Sequence, residues 1–228
     1  MLRRCFSALL LAALLLCLPA ALGEDEEAEK PLNSGLYDGH YNYSLNEAGE
    51  ARLDHLYDDP VTLSVPEALN GHRLTELGDG CMSTRLRLES VELPEGVRTI
   101  AGHAFEGCLS LTELRLPDTL ETAGTGAFMN CVSLREIALP AGLRVLGNSA
   151  FHGCRRLARV ALPETLEEIG ESCFEFCGAL EEIRIPESVT SIGRFAFFGC
   201  ESLKAVRGAK GSFAEAYCLE NGLPFEAE

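Results

Sequence analysis

A fixed period of 23 residues constrains this chain more than any other feature. Between residues 93 and 207 one pattern is written five times without insertion: Leu93-Pro94 to Arg115, Leu116-Pro117 to Ala138, Leu139-Pro140 to Ala161, Leu162-Pro163 to Arg184 and Ile185-Pro186 to Arg207. Cys108, Cys131, Cys154, Cys177 and Cys200 mark the phase. A unit this short cannot bury an apolar face alone. Stacked on copies of itself it can, so the period implies an elongated solenoid rather than a globule.

Counting the Leu of Leu-Pro as position 1, apolar residues recur at positions 1, 5, 8, 12, 13, 16, 19 and 22; in the first copy these are Leu93, Val97, Ile100, Ala104, Phe105, Cys108, Leu111 and Leu114. The end of each copy reads Leu-x-x-Leu-x-Leu (Leu111, Leu114, Leu116; Leu134, Ile137, Leu139; Leu157, Val160, Leu162), the strand signature of leucine-rich repeats. Alternation turns position 22 inward and positions 21 and 23 outward. The proline that follows has no N–H for the ladder and ends the strand. The Ala-Phe pair and the Cys three residues after the Phe suit a tight helical turn on the opposite side. Gly107, Asn130, Gly153 and Gly199 each precede a Cys, as a positive-φ turn demands. Phe176 breaks that rule and puts the turn of the fourth copy in question.

The pattern Leu-Pro-x-x-Val-x-x-Ile-Gly-x-x-Ala-Phe-x-Gly-Cys-x-Ser-Leu-x-x-Ile-x resembles the BspA-type leucine-rich repeat family. Departures are Ala101, Ala123 and Cys173. With its flanks the resemblance covers nearly all of the chain after residue 23. It implies an α/β solenoid, a leucine-rich repeat right-handed superhelix with an N-terminal β-hairpin cap and a C-terminal helical cap. It also implies an exported, non-enzymatic protein that recognises other proteins, as in adhesion to host or neighbouring-cell proteins.

The flanks carry their own signals. Arg3 and Arg4, the apolar run Phe6 to Leu22 and Ala21-Leu22-Gly23 read as a signal peptide over residues 1–23. The run is also close to the roughly 18 residues that span a membrane, so a retained anchor is the rival reading. Residues 24–38, opening with Glu24-Asp25-Glu26-Glu27, read as a flexible acidic leader. In residues 39–60 the alternation of Tyr41, Tyr43 and Leu45, the turn-like Asn46 to Gly49, and the alternation of Ala51, Leu53 and His55 predict a hairpin. A similar Tyr-x-Tyr hairpin caps the first repeat in the family. Residues 61–92 form a degenerate first repeat: Val65-Pro66 stands for Leu-Pro, Asn70-Gly71 is a turn insertion, and Leu74, Leu77, Cys81, Met82, Leu88 and Val91 regain the phase, with Arg85 in the place of the ladder Cys. Residues 208–228 form a capping segment. Ser212-Phe213-Ala214-Glu215 is a capping box; Phe213, Ala216, Tyr217 and Leu219 form an apolar stripe, and Gly222 and Pro224 stop the helix.

The net charge is -16. An anionic solenoid repels phosphate backbones, so nucleic acid is excluded as a partner class. Of ten cysteines, two fall in the first 23 residues, five share position 16, and Cys81 and Cys173 take the place of the repeat Ala; Cys218 alone is unexplained by the period. Equivalent residues of stacked repeats have parallel Cβ vectors, which disfavours disulfide geometry; free buried thiols are expected. His40, His55, His72, His103 and His152 share no spacing that builds a metal site. No Ser/His/Asp or Cys/His arrangement stands apart from the repeat, so no enzyme, cofactor, metal ligand or catalytic residue is expected. Leu162-Pro163-Glu164-Thr165 looks like a sortase signal, but Leu166 replaces the required Gly and the sister stretch Leu116-Pro117-Asp118-Thr119 shows the repeat generating it.

Solenoids bind through their extended concave face, and the outward strand positions 20, 21 and 23 should build it. The candidate partner-binding residues are Glu113, Arg115, Arg135, Glu136, Arg159, Glu181, Glu182, Arg184, Lys204 and Arg207, with Glu136-Arg159-Glu182 as an alternating charge row. The partner would be a protein or a glycan, and the chain a monomer. These columns hold arginine but no aromatics, and Trp is absent, so binding there should be modest and salt-sensitive. The alternative is a solvated face laced with salt bridges worth about 0–1 kcal/mol each, on a structural or decoy scaffold. A hydrolase is the third reading.

Overall fold

The computed structural model describes residues 35–228. The signal peptide expected over residues 1–23 and the expected acidic leader up to residue 34 lie outside the described residues. The N-terminal end is a small antiparallel unit: β1 (Leu36–Tyr37), β2 (Tyr41–Leu45) and β3 (Ala51–Leu56). The predicted hairpin is β2–β3. It gains a third strand, because Leu36 and Tyr37, expected in the flexible leader, pair with Tyr43 and Asn42. After β4 (Thr62–Ser64), the insertion is a second hairpin, β5 (Ala68–Leu69) and β6 (His72–Leu77). Asn70 at φ 49° and Gly71 at φ 85° form its two-residue turn, the double positive-φ geometry that suits strand twist.

From β7 (Ser90–Glu92) onward every repeat supplies two strands. They are β8 (Thr99–Ile100) and β9 (Glu113–Arg115), β10 (Thr122–Ala123) and β11 (Glu136–Ala138), β12 (Val145–Leu146) and β13 (Arg159–Ala161), β14 (Glu168–Ile169) and β15 (Glu182–Arg184), and β16 (Ser191–Ile192) and β17 (Ala205–Gly208). The first of each pair, at positions 7 and 8, joins one continuous sheet in the order β1-β2-β3-β6-β8-β10-β12-β14-β16, parallel from β3 onward. Period-two patterning did not predict this strand, since two residues show no alternation. The second strand, at positions 21 to 23, is the one the Leu-x-x-Leu-x-Leu signature predicts.

The Ala-Phe pair and the Cys at positions 12, 13 and 16 were expected to form a tight helical turn. They are instead a run of turns whose amides alternate. His103 N–H, Phe105 N–H and Gly107 N–H donate to the next repeat's Thr125, Ala127 and Met129 carbonyls, while Glu106 N–H and Cys108 N–H close local turns. Such a ladder needs positive φ at position 15, found at Gly107, Asn130, Gly153 and Gly199, and at Phe176 too (φ 59°). The fourth turn therefore matches its neighbours despite its residue. Phe176 N–H bonds to the Phe198 carbonyl at 2.8 Å, and keeping that bond imposes the ladder's conformation on a side chain that disfavours it.

The core is a set of files running along the stack. Phe105, Phe128, Phe151, Phe174 and Phe197 stack with centroids 5.0–5.7 Å apart and all five are buried. The five position-16 cysteines are free and buried; each Sγ–H donates at 3.1–3.2 Å to the carbonyl 26 residues earlier. Burial thus leaves none of these five thiols without a partner. Cys173 fills the Ala position at zero exposure. Arg85, in the place of the first ladder Cys, reaches into the N-terminal unit, donating to the Leu56 carbonyl and meeting His55 Nε2.

The C-terminal end is α1 (Phe213–Asn221), with Ser212 as N-cap and Gly222 in the left-handed region closing it. Its buried face is Ala214, Tyr217 and Cys218, whereas Phe213, Ala216 and Leu219 are exposed. The predicted stripe was thus right only at Tyr217; the helix is rotated so that Cys218, unexplained by the period, faces the last repeat. A final strand, β18 (Phe225–Ala227), follows Pro224 and pairs in parallel with β17, covering an edge the sequence reading left open. Among the described residues the single helix belongs to this cap; the repeats themselves are strand and turn.

Candidate functional site

The strand face at positions 20 to 23 is built as an exposed–buried–exposed triplet on β11, β13 and β15. Glu113, Arg115, Arg135, Glu136, Arg159, Glu181, Glu182, Arg184 and Lys204 are exposed and Arg207 is half-buried. Stacking brings them into ion pairs. Arg159 meets Glu136 at 3.3 Å, Lys204 meets Glu181 at 2.8 Å and Arg207 meets Glu182 at 3.2 Å, each across one repeat. Arg115 pairs with Glu113 within one strand at 3.0 Å.

The row Glu136-Arg159-Glu182 does not run on as expected. Strands β9 and β11, and again β13 and β15, exchange no ladder pairing, so the face divides into three short sheets: β4-β7-β9, β11-β13 and β15-β17-β18. Glu182 turns to Arg207 instead of Arg159. A shallow recess of about 270 Å³ lies at the second division, among Arg159, Glu182, Arg184, Arg207 and Glu228. Arg184 is shared by Glu164 and by Glu228 at 2.8 Å, and Arg207 by Glu182 and Glu226. The hydrogen bonds Arg184 donates to Glu228 and Glu164 raise its pKa; the one Arg207 donates to Glu226, with the charge of Glu182, raises that of Arg207. The hydrogen bond from Lys204 lowers the Glu181 carboxyl. Sequence reasoning missed Glu164, Glu226 and Glu228. The last two had a signal, since Phe225-Glu226-Ala227-Glu228 alternates after Pro224 as an outward-acidic strand does.

Chemically, this is a chequered polar surface. Among the described residues no group of His, Cys, Asp or Glu is arranged to hold a metal ion. The buried thiols are poor nucleophiles, since burial pushes Cys108 and Cys200 up to about 11 and the others higher still along the ladder. His103 lies on the surface 2.9 Å from Glu106, and His152 is half-buried beside Glu175.

The match to known proteins follows the same repeat. A family model described as BspA type leucine rich repeat region matches residues 75–204 in 6 copies, more than half of the chain. The chain belongs to this family. Proteins of this BspA-type family are generally non-enzymatic binding scaffolds. Among solved structures, a leucine rich repeat protein of T. pallidum is similar at 27% identity and TM-score 0.56, over 76% of this chain and 71% of that one. A leucine rich cell surface protein of Faecalibacterium prausnitzii is similar at 23% identity and TM-score 0.63, over 77% of this chain and 55% of that one. The pneumococcal vaccine antigen PcpA is similar at 22% identity and TM-score 0.64, over 78% of this chain and 50% of that one. The last two likenesses concern the fold alone. No curated protein matches the chain significantly. Among the described residues no helix is long and apolar enough to cross a membrane.

Proposed function

We propose that this chain is an exported, non-enzymatic recognition protein of the cell surface or the medium, which docks a protein partner through the strand face at positions 20 to 23. The observation that carries this reading is the periodic ion-pair surface. Ten charged side chains are displayed at fixed spacing, most of them paired across repeats yet open to solvent. Exposed pairs of this kind stabilise the fold little, so a partner of complementary charge spacing can exchange them for its own at small cost. The signal-peptide pattern of residues 1–23 supports export. The test is capture from extracellular-matrix and cell-surface extracts across a salt series. The partner should be retained at about 50 mM salt and released by about 500 mM, because exposed charges more than a Debye length apart are screened. Retention independent of salt would remove the charged face from consideration. A glycan partner would survive protease treatment of the extract; a protein partner would not.

A further inference from the structure

A second surface stands on the turns, away from the strand face. Phe176, Phe195 and Phe198 are exposed at 44%, 54% and 56%, and their rings meet edge to face: Phe176–Phe198 centroids lie 5.8 Å apart and Phe195–Phe198 6.0 Å. Phe176 also sits edge-on against His152 at 5.5 Å. Two of the three occupy positive-φ positions, Phe176 at 59° and Phe195 at 60°, where a bulky residue is an outlier. The other repeats use Gly or Asn at the first place and His, Gly or Ser at the second. Neither phenylalanine belongs to the core or suits its backbone. Side chains held against local preference and against water mark functional sites.

The surroundings shape a pocket. The Phe176 ring lies flush on Gly199, where any Cβ would fall 2.5 Å from the ring. Between the last turn and α1, a cavity of about 390 Å³ is lined by Phe195, Phe198, Tyr217 and Leu223, with Glu201 and Asn221 as its polar groups and no Lys or Arg in its wall. Aromatic faces and a lone carboxylate attract a cation beside an apolar group. A second copy of a chain with net charge -16 is repelled from such a place.

We propose that the Phe176–Phe195–Phe198 patch and the adjoining cavity dock a peptide segment of a partner protein that presents an apolar side chain next to a lysine or arginine. This surface shares no residue with the strand face, so the proposal stands or falls apart from that reading.

The test is calorimetric titration of the chain with an octapeptide of alternating Leu and Lys, and with its Leu/Glu and Ser/Lys counterparts. The comparison variant combines Phe176→Gly, Phe195→Ser and Phe198→Glu, the residues that Gly153, Ser172 and Glu175 place at the same positions of other repeats; circular dichroism confirms its fold. The Leu/Lys peptide should bind at least tenfold more tightly than either counterpart, and the variant should lose at least tenfold. Attraction by charge alone would make the variant, one carboxylate richer, bind as well or better, and that overturns the proposal. So do equal binding of Ser/Lys, absence of Leu/Lys binding, a dimer in sedimentation that the variant abolishes, or adsorption of the wild type alone to phosphatidylcholine vesicles.

Discussion

The inward side chains are interchangeable along the stack only within narrow size limits. Phe151 sits between Phe128 and Phe174 at zero exposure, so Phe151→Ala should cost about 3–5 kcal/mol in denaturant unfolding; a loss below about 1 kcal/mol would contradict its place in the file. Phe195 is the opposite case. Its backbone is strained by roughly 1–2 kcal/mol and its ring is half exposed, so Phe195→Asn should raise stability by about 1 kcal/mol, and a clear loss would show the ring to be structural. The core residues were legible in the sequence because each recurs every 23 residues with one chemistry. The conformation of Phe176 was not, because local preference forbids what the inter-repeat amide bonds enforce.

At the level of elements, the caps decide whether the stack ends cleanly. Ser212 accepts from Glu215 N–H at 3.3 Å, and the Glu215 carboxylate accepts from Gly211 N–H at 2.5 Å. Ser212→Ala should lower the unfolding free energy by about 1 kcal/mol, measured by urea titration. Strand β18 covers β17, so a chain stopped at Asn221 exposes an unpaired parallel edge and should self-associate in light scattering; a monodisperse truncation would contradict the capping role. Helix and hairpin announced themselves through capping and turn residues. The two-residue strands at positions 7 and 8 and the three-residue β18 did not, because pieces so short owe their form to the neighbour they pair with.

At the scale of the molecule, the eight cysteines among the described residues are unbridged and buried, and burial raises their pKa in the folded state, to about 11 for Cys108, Cys200 and Cys218. Below the ordinary value of 9.0 both states keep the proton and stability is unaffected. Above it the unfolded chain ionises while the folded chain does not, so stability should fall from about pH 9 and keep falling through about pH 11. The melting temperature across that range checks it, and a flat profile would contradict it. The stack and the outward columns could be read from the period alone. The division of the strand face into three sheets could not, since the repeat is unbroken where the ladder pairing lapses. Whether those columns do the recognising is the central claim, and the affinity of the captured partner for one variant tests it most directly. Replacing Arg115, Arg184 and Arg207 together by Ser should weaken binding at least tenfold and flatten its salt dependence, while leaving the fold unchanged by circular dichroism. Unaltered affinity and salt dependence in that variant would place recognition elsewhere on the solenoid.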